Sequence, residues 1–127
     1  MYVGNWRILK GNKVKHGSGK ITYPGADGNL GGEEYDGEWV DDKMEGQGRY
    51  VFASGSTYTG NWKAGMMHGK GLKKNPDGTY YDGEWEQNLY HGEGTFVDED
   101  KCVWTGLFIQ GTFDSKIQKK LKVDKEI

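Results

Sequence analysis

The sequence is poor in several residues and patterns that often define a fold or a chemistry. Cysteine occurs once, at Cys102, so no internal disulfide can staple the chain, and a lone thiol fits a reducing compartment. Proline occurs twice, and the glycines follow no strict Gly-X-Y period, which excludes a collagen-like helix. No run of about 18 apolar residues is present to cross a membrane as a helix. Residues 1–20 lack the apolar core of a signal peptide, since glycine, asparagine, lysine and histidine interrupt them. Net charge is only −2, so the broad basic field that nucleic acid selects is missing. These absences lead to an expectation of a cytoplasmic protein, or one attached to a cytosolic structure, without nucleic acid as a partner.

What is present is glycine and aromatic rings. Glycine accounts for 22 of 127 residues, more than twice its usual share of about 7%. Apolar residues make up only 34%, yet aromatics reach 13%, with 5 Trp and 8 Tyr. That balance is too lean for a thick two-layer core and too aromatic for disorder. It predicts a thin sheet with tight turns, buried mainly through its rings.

The rings are periodic. Tyr35-Asp36-Gly37-Glu38-Trp39 recurs as Tyr58-Thr59-Gly60-Asn61-Trp62 and Tyr81-Asp82-Gly83-Glu84-Trp85, with an earlier copy at Tyr2-Val3-Gly4-Asn5-Trp6 and a worn one at Trp104-Thr105-Gly106-Leu107-Phe108. From residue 35 onward the step is 23 residues. A second element keeps phase: Gly46-Gln47-Gly48, Gly69-Lys70-Gly71 and Gly92-Glu93-Gly94, with Gly17-Ser18-Gly19 in the first copy. The first copy holds four extra residues between Trp6 and Gly17 and six more in 24–34. Both insertions are expected to lie in turns, where extra residues are tolerated.

Tyr-x-Gly-x-Trp followed by Gly-x-Gly at this step resembles the MORN repeat over about residues 2–113. The resemblance implies an all-β fold: a single-layer, elongated, twisted antiparallel sheet of about five stacked β-hairpins, with a short C-terminal tail. Repeats are expected near 2–34, 35–57, 58–80 and 81–103, with a truncated one at 104–113, and a lysine-rich capping tail at 114–127. The residues support this independently. Alternation puts Tyr58, Gly60 and Trp62 on one strand face and Thr59 and Asn61 on the other. Asn75-Pro76-Asp77-Gly78 is a turn signal. The tail reads as a short helix from Ser115 or as a strand through Leu121 and Val123, with a lean toward the strand. An uncovered edge at the N-terminal end would be a template for a second copy of the chain.

Candidate chemistry is thin. His16, His68 and His91 each precede a Gly-x-Gly, and Glu45 holds that position in the remaining copy. Copies of one position recur every ~10 Å, too far apart to share a metal whose bonds are about 2 Å, so no metal is expected and the histidines read as structural. The carboxylates of Asp36, Glu38, Asp82 and Glu84 alternate onto the face away from the rings and read as a solvated surface. No Gly-x-Gly opens a helix, as a dinucleotide site requires. No cofactor and no catalysis are expected.

Function is therefore sought in the ring ladder. Tyr35, Trp39, Tyr58, Trp62, Tyr81, Trp85, Trp104 and Phe108 are expected to expose a groove on the concave face that holds a peptide or helix of a partner protein. MORN resemblance implies scaffolding, often in cilia, flagella and other cytoskeletal assemblies. The stretch Trp104-Thr105-Gly106 and the Lys/Leu end look like those of small MORN proteins linked to such structures, which points to an axonemal or cytoskeletal location. The alternative is recruitment to anionic membrane lipid through Lys116, Lys119, Lys120 and Lys122. MORN repeats also resemble accessory segments of some lipid kinases and lysine methyltransferases, whose catalysis lies in a separate domain.

Overall fold

Tight turns set the frame. Lys10-Gly11, Asp41-Asp42, Ala64-Gly65, Gln87-Asn88 and Gln110-Gly111 all have positive φ at both positions, the type I′ geometry whose twist matches that of paired strands. The structure is a computed structural model that describes residues 1–25, 32–113 and 118–120, with the last two strands described by their backbone alone. The strands are β1 (Tyr2–Leu9), β2 (Asn12–Thr22), β3 (Glu34–Val40), β4 (Lys43–Val51), β5 (Thr57–Lys63), β6 (Met66–Lys74), β7 (Tyr80–Glu86), β8 (Leu89–Val97), β9 (Val103–Ile109), β10 (Thr112–Phe113) and β11 (Gln118–Lys120). They form one antiparallel sheet in chain order from β1 to β10, and β11 also pairs with β9. No helix or second sheet lies on either face among the described residues. The fold is the all-β single sheet of stacked hairpins that the repeat predicts.

The register explains the glycines. Gly4, Gly19, Gly37, Gly48, Gly60, Gly71, Gly83, Gly94 and Gly106 stand opposite one another in a row across β1 to β9. Inside each of the first four hairpins the pairing then slips: Gly60 faces Gly71, but Trp62 faces Met67. The slack is taken up at the first glycine of each Gly-x-Gly. Gly17, Gly46, Gly69 and Gly92 sit at φ of 95°, 65°, 71° and 105°, a left-handed region that side chains with a Cβ avoid.

Two expectations need correction or completion. The four extra residues between Trp6 and Gly17 do not enlarge a turn. They lengthen both strands of the first hairpin, adding the pairs Ile8↔Lys13 and Leu9↔Asn12 ahead of a two-residue turn. The longer hairpin reaches the next turn, where Arg7 Nε lies 2.8 Å from Asp41 Oδ1. The second insertion falls largely on 26–31, outside the described residues. Of the tail, residues 118–120 are extended and lie along β9 in the register Gln118↔Thr105, Lys119↔Trp104, Lys120↔Val103. Lys116 and Lys122 lie outside the described residues.

Ala64 occupies the first I′ position at φ 51°, where asparagine is favoured and alanine is strained. Ala64→Asn is expected to raise stability by roughly 0.5–1 kcal/mol, read as a higher urea midpoint with unchanged slope.

Candidate functional site

With no second layer among the described residues, the sheet must bury its rings against itself, and each of the first four repeats does so in the same way. The Tyr58 ring lies flat on the neighbouring strand over Gly71, where an added Cβ would collide with the phenol. Tyr35 lies likewise on Gly48, Tyr81 on Gly94 and Tyr2 on Gly19. The hydroxyls of Tyr35, Tyr58 and Tyr81 donate to the carbonyls of Glu38, Asn61 and Glu84 at 2.9, 2.8 and 2.8 Å, residues opposite the register slip. Each indole reaches back one repeat: Trp39 Nε1 donates to Gly19 O, Trp62 to Gly48 O and Trp85 to Gly71 O, at 2.9, 3.1 and 2.9 Å. Tyr2, Tyr35 and Tyr58 thus each meet two tryptophans edge to face, and Tyr81 meets Trp85 and Phe108. Tyr58 is 5.1 Å from Trp62 of its own repeat and 5.1 Å from Trp85 of the next.

Side chains on the other face tie down the slip. Glu38 Oε2 accepts from Gln47 N at 3.1 Å and Glu84 Oε1 from Glu93 N at 2.7 Å. These two carboxylates therefore have a structural task that the sequence reading, which saw only a solvated acidic face, missed. In three of the four repeats the position before Gly-x-Gly also bonds, but to the next hairpin's turn. His16 Nδ1 accepts from Asp41 N at 3.4 Å, Glu45 Oε2 from Ala64 N at 2.6 Å and His91 Nδ1 from Gln110 N at 3.2 Å. Imidazole and carboxylate are interchangeable there because both are acceptors. Among the described residues no group of three or more His, Cys, Asp or Glu is placed to hold a metal ion.

The ladder residues are nearer the floor than the surface. Tyr35, Tyr58 and Tyr81 are 0% exposed, and Trp39, Trp62, Trp85 and Phe108 are 3–6% exposed. Trp104 is half-buried. Seven of the eight residues expected to line the groove thus form its base. Beside the buried ladder from β3 onward, the accessible apolar surface of this face comes mainly from the second strand of the hairpin. Met44, Met67 and Tyr90 face Trp39, Trp62 and Trp85, while Tyr50 and Phe96 face Tyr35 and Tyr81. Met44, Tyr50, Phe52, Tyr90 and Phe96 are half-buried against the core. Met44, Tyr50, Phe52, Trp62 and Met67 line a hollow of about 380 Å³. One repeat on, Lys73, Trp85, Leu89 and Tyr90 line another of about 240 Å³. The 23-residue step from Met44 to Met67 to Tyr90, and from Tyr50 to Lys73 to Phe96, was the available signal for this row.

Two outcomes test this packing. Gly71→Ala should cost ~3 kcal/mol or more, since the new Cβ enters a buried ring. Gly65→Ala, with open space around its Cβ and only the positive φ to oppose it, should cost about 1–2 kcal/mol. The alkaline limb follows from the rings. Burial pushes the Tyr81 phenol up to about 12 from its ordinary value of 10.0, and burial raises Tyr35 and Tyr58 as well. The folded state thus prefers the neutral phenols. The stabilisation is fully present below pH 10 and is lost as pH rises from 10 toward 12. Tyrosinate absorbance of the three should appear together with loss of structure in an alkaline titration, rather than in the native sheet.

Comparison with known families matches residues 12–28, 35–57, 58–80 and 81–103 to the MORN repeat. No curated protein matches the chain significantly. The MORN repeat is a non-catalytic module, and such repeats generally serve interaction with proteins or membranes. With four matched repeats over most of its length and each of these repeats contributing to a stacked β-hairpin, the chain belongs to the MORN-repeat family.

Proposed function

We propose that the chain is a non-enzymatic scaffold that holds a segment of a partner protein against its aromatic face, within a cytoskeletal assembly of the ciliary or flagellar axoneme kind. The observation that carries this reading is the half-buried second-strand row over a sealed ring floor. Met44, Tyr50 and Phe52 present apolar surface around one shaped hollow and Tyr90 around another, on a sheet with no second layer over it among the described residues. Contiguous apolar surface of this kind marks interaction sites, and aromatic side chains are favoured as binding hot spots. The floor is held by hydrogen bonds and ring contacts, so little ordering is left to be done on binding. The axonemal setting draws on the likeness of the 104–106 stretch and the Lys/Leu end to small MORN proteins of such structures.

Membrane recruitment has less in its favour. Lys70 is exposed but pairs across strands with Glu84, and its neighbour on the same face, Leu72, pairs with Asp82. Those carboxylates weaken the attraction to anionic lipid, worth about 1 kcal/mol per lysine. Lys119 and Lys120 are placed along β9 by their backbone.

A Tyr50→Ala, Phe52→Ala double variant separates the readings without removing a fully buried ring. Expressed with a tag in ciliated cells, the wild type should stay with the detergent-insoluble cytoskeleton until high salt releases it. The variant, folded by circular dichroism, should shift to the soluble fraction with at least a roughly tenfold loss of retention. Release of the wild type by mild detergent alone would replace this account with membrane recruitment.

A further inference from the structure

One position breaks the apolar row. Across three successive repeats the same place is held by Tyr50, Lys73 and Phe96. Lys73 pairs with Tyr58 on one side and Tyr81 on the other, both fully buried, so its side chain stands on the aromatic face. Its Nζ lies 4.8 Å from the centre of the Phe52 ring. No carboxylate lies within 4.0 Å of it among the described residues. Lys15, on the same face near the first hairpin, differs: its Nζ is 3.5 Å from Asp42 Oδ1.

The location adds to the chemistry. Lys73 lines the smaller hollow and reaches toward Phe52, which lines the larger one. The two hollows are built from equivalent residues one repeat apart, Trp62 with Met67 and Trp85 with Tyr90, which places them ~10 Å from each other. A cation between two apolar hollows is poorly served by a purely apolar ligand, which would strip its water and return nothing. A carboxylate there would keep its charge compensated in a half-buried setting, where an ion pair is screened less than in open water.

Building on the groove reading above, we propose that the aromatic face selects an acidic–apolar segment: two apolar anchors in the two hollows, with an aspartate or glutamate between them on Lys73. For a helix lying along the array, a rise of about 1.5 Å per residue puts the anchors about seven residues apart, with the acid at the third or fourth position after the first anchor. The acid sets specificity and register, while the anchors supply most of the affinity.

The competing account is that the Lys73 stem merely covers the tyrosines while its ammonium stays in water. Lys73→Met keeps the stem and removes the charge, so both accounts expect it to fold. A phage-displayed library of random peptides about 16 residues long would be selected against the full wild-type chain, Lys73→Met and Lys73→Glu, each checked by circular dichroism. The wild type should enrich apolar pairs about seven residues apart with an intervening Asp or Glu. Lys73→Glu should change that preference to Lys or Arg. Lys73→Met should keep the anchors, lose the charge preference and bind the best acidic peptide about tenfold more weakly, with the difference shrinking as salt rises. Enrichment of apolar peptides without a charge preference, or an acidic preference that survives in Lys73→Met, would overturn the inference and leave the groove intact. Absence of any enrichment that depends on Tyr50 and Phe52 would overturn the groove as well.

Discussion

Everything in this sheet depends on a tyrosine ring lying flat on a glycine. Tyr58 over Gly71 is the pattern, repeated by Tyr35 over Gly48 and Tyr81 over Gly94. Lying down turns the ring edge toward two aromatic neighbours, one from its own repeat and one from the next, both indoles for Tyr35 and Tyr58 and an indole and Phe108 for Tyr81. Such edge-to-face pairs contribute about 0.5–1.5 kcal/mol beyond the area they bury. The chain of contacts runs from Trp6 and Tyr2 through Trp39, Tyr35, Trp62, Tyr58, Trp85 and Tyr81 to Phe108. A chain with only 34% apolar residues obtains a buried core this way, with no second layer to cover it among the described residues. At the first end the chain of cover stops, and Trp6 is left 40% exposed, with Lys13 Nζ 4.4 Å from its ring.

The same constraint divides labour between the two strands of a hairpin. The first strand carries rings that cannot change without losing the core: their hydroxyls and indole nitrogens are committed to backbone carbonyls. The second strand packs on top and has room to vary, as Met44, Met67 and Tyr90 do at one position and Tyr50, Lys73 and Phe96 at another. Structure resides in the repeated positions, and the recognition proposed here would fall to the unrepeated ones. Stacking is reinforced from the turns: Asp42 N donates to Lys15 O, Gly65 N to Met44 O, Asn88 N to Met67 O and Gly111 N to Tyr90 O. From the second hairpin on, each tip is thereby fastened to the repeat before it.

Much of this was legible in the sequence. The Tyr-x-Gly-x-Trp period gives the hairpins, their order and the shared face of ring and glycine. Asn75-Pro76-Asp77-Gly78 forms the turn it signals, closed by Gly78 N to Asn75 O and Asn75 N to Thr79 O at 3.0 and 2.9 Å. Three things were not legible. Alternation says which way a side chain points but not whether it stands or lies flat, so Tyr35 and Trp39 read as groove lining when they are its base. Pairing register is a tertiary property, and without the slip at Gly46 and Gly69 nothing sets Met44 against Trp39 or Met67 against Trp62. The extra residues of the first hairpin carry no proline and only one glycine, Gly11, between Trp6 and Gly17, and they continue the ladder because nothing in them breaks it.

The central claim is that partners meet the second-strand row and not the opposite face. A photo-crosslinking aromatic amino acid placed at position 50, and separately at the exposed position of Thr59 on the other face, tests it directly in ciliated cells. The account predicts a discrete protein adduct from position 50 and none from position 59. Adducts from position 59 alone, or lipid adducts in place of protein at position 50, would contradict it.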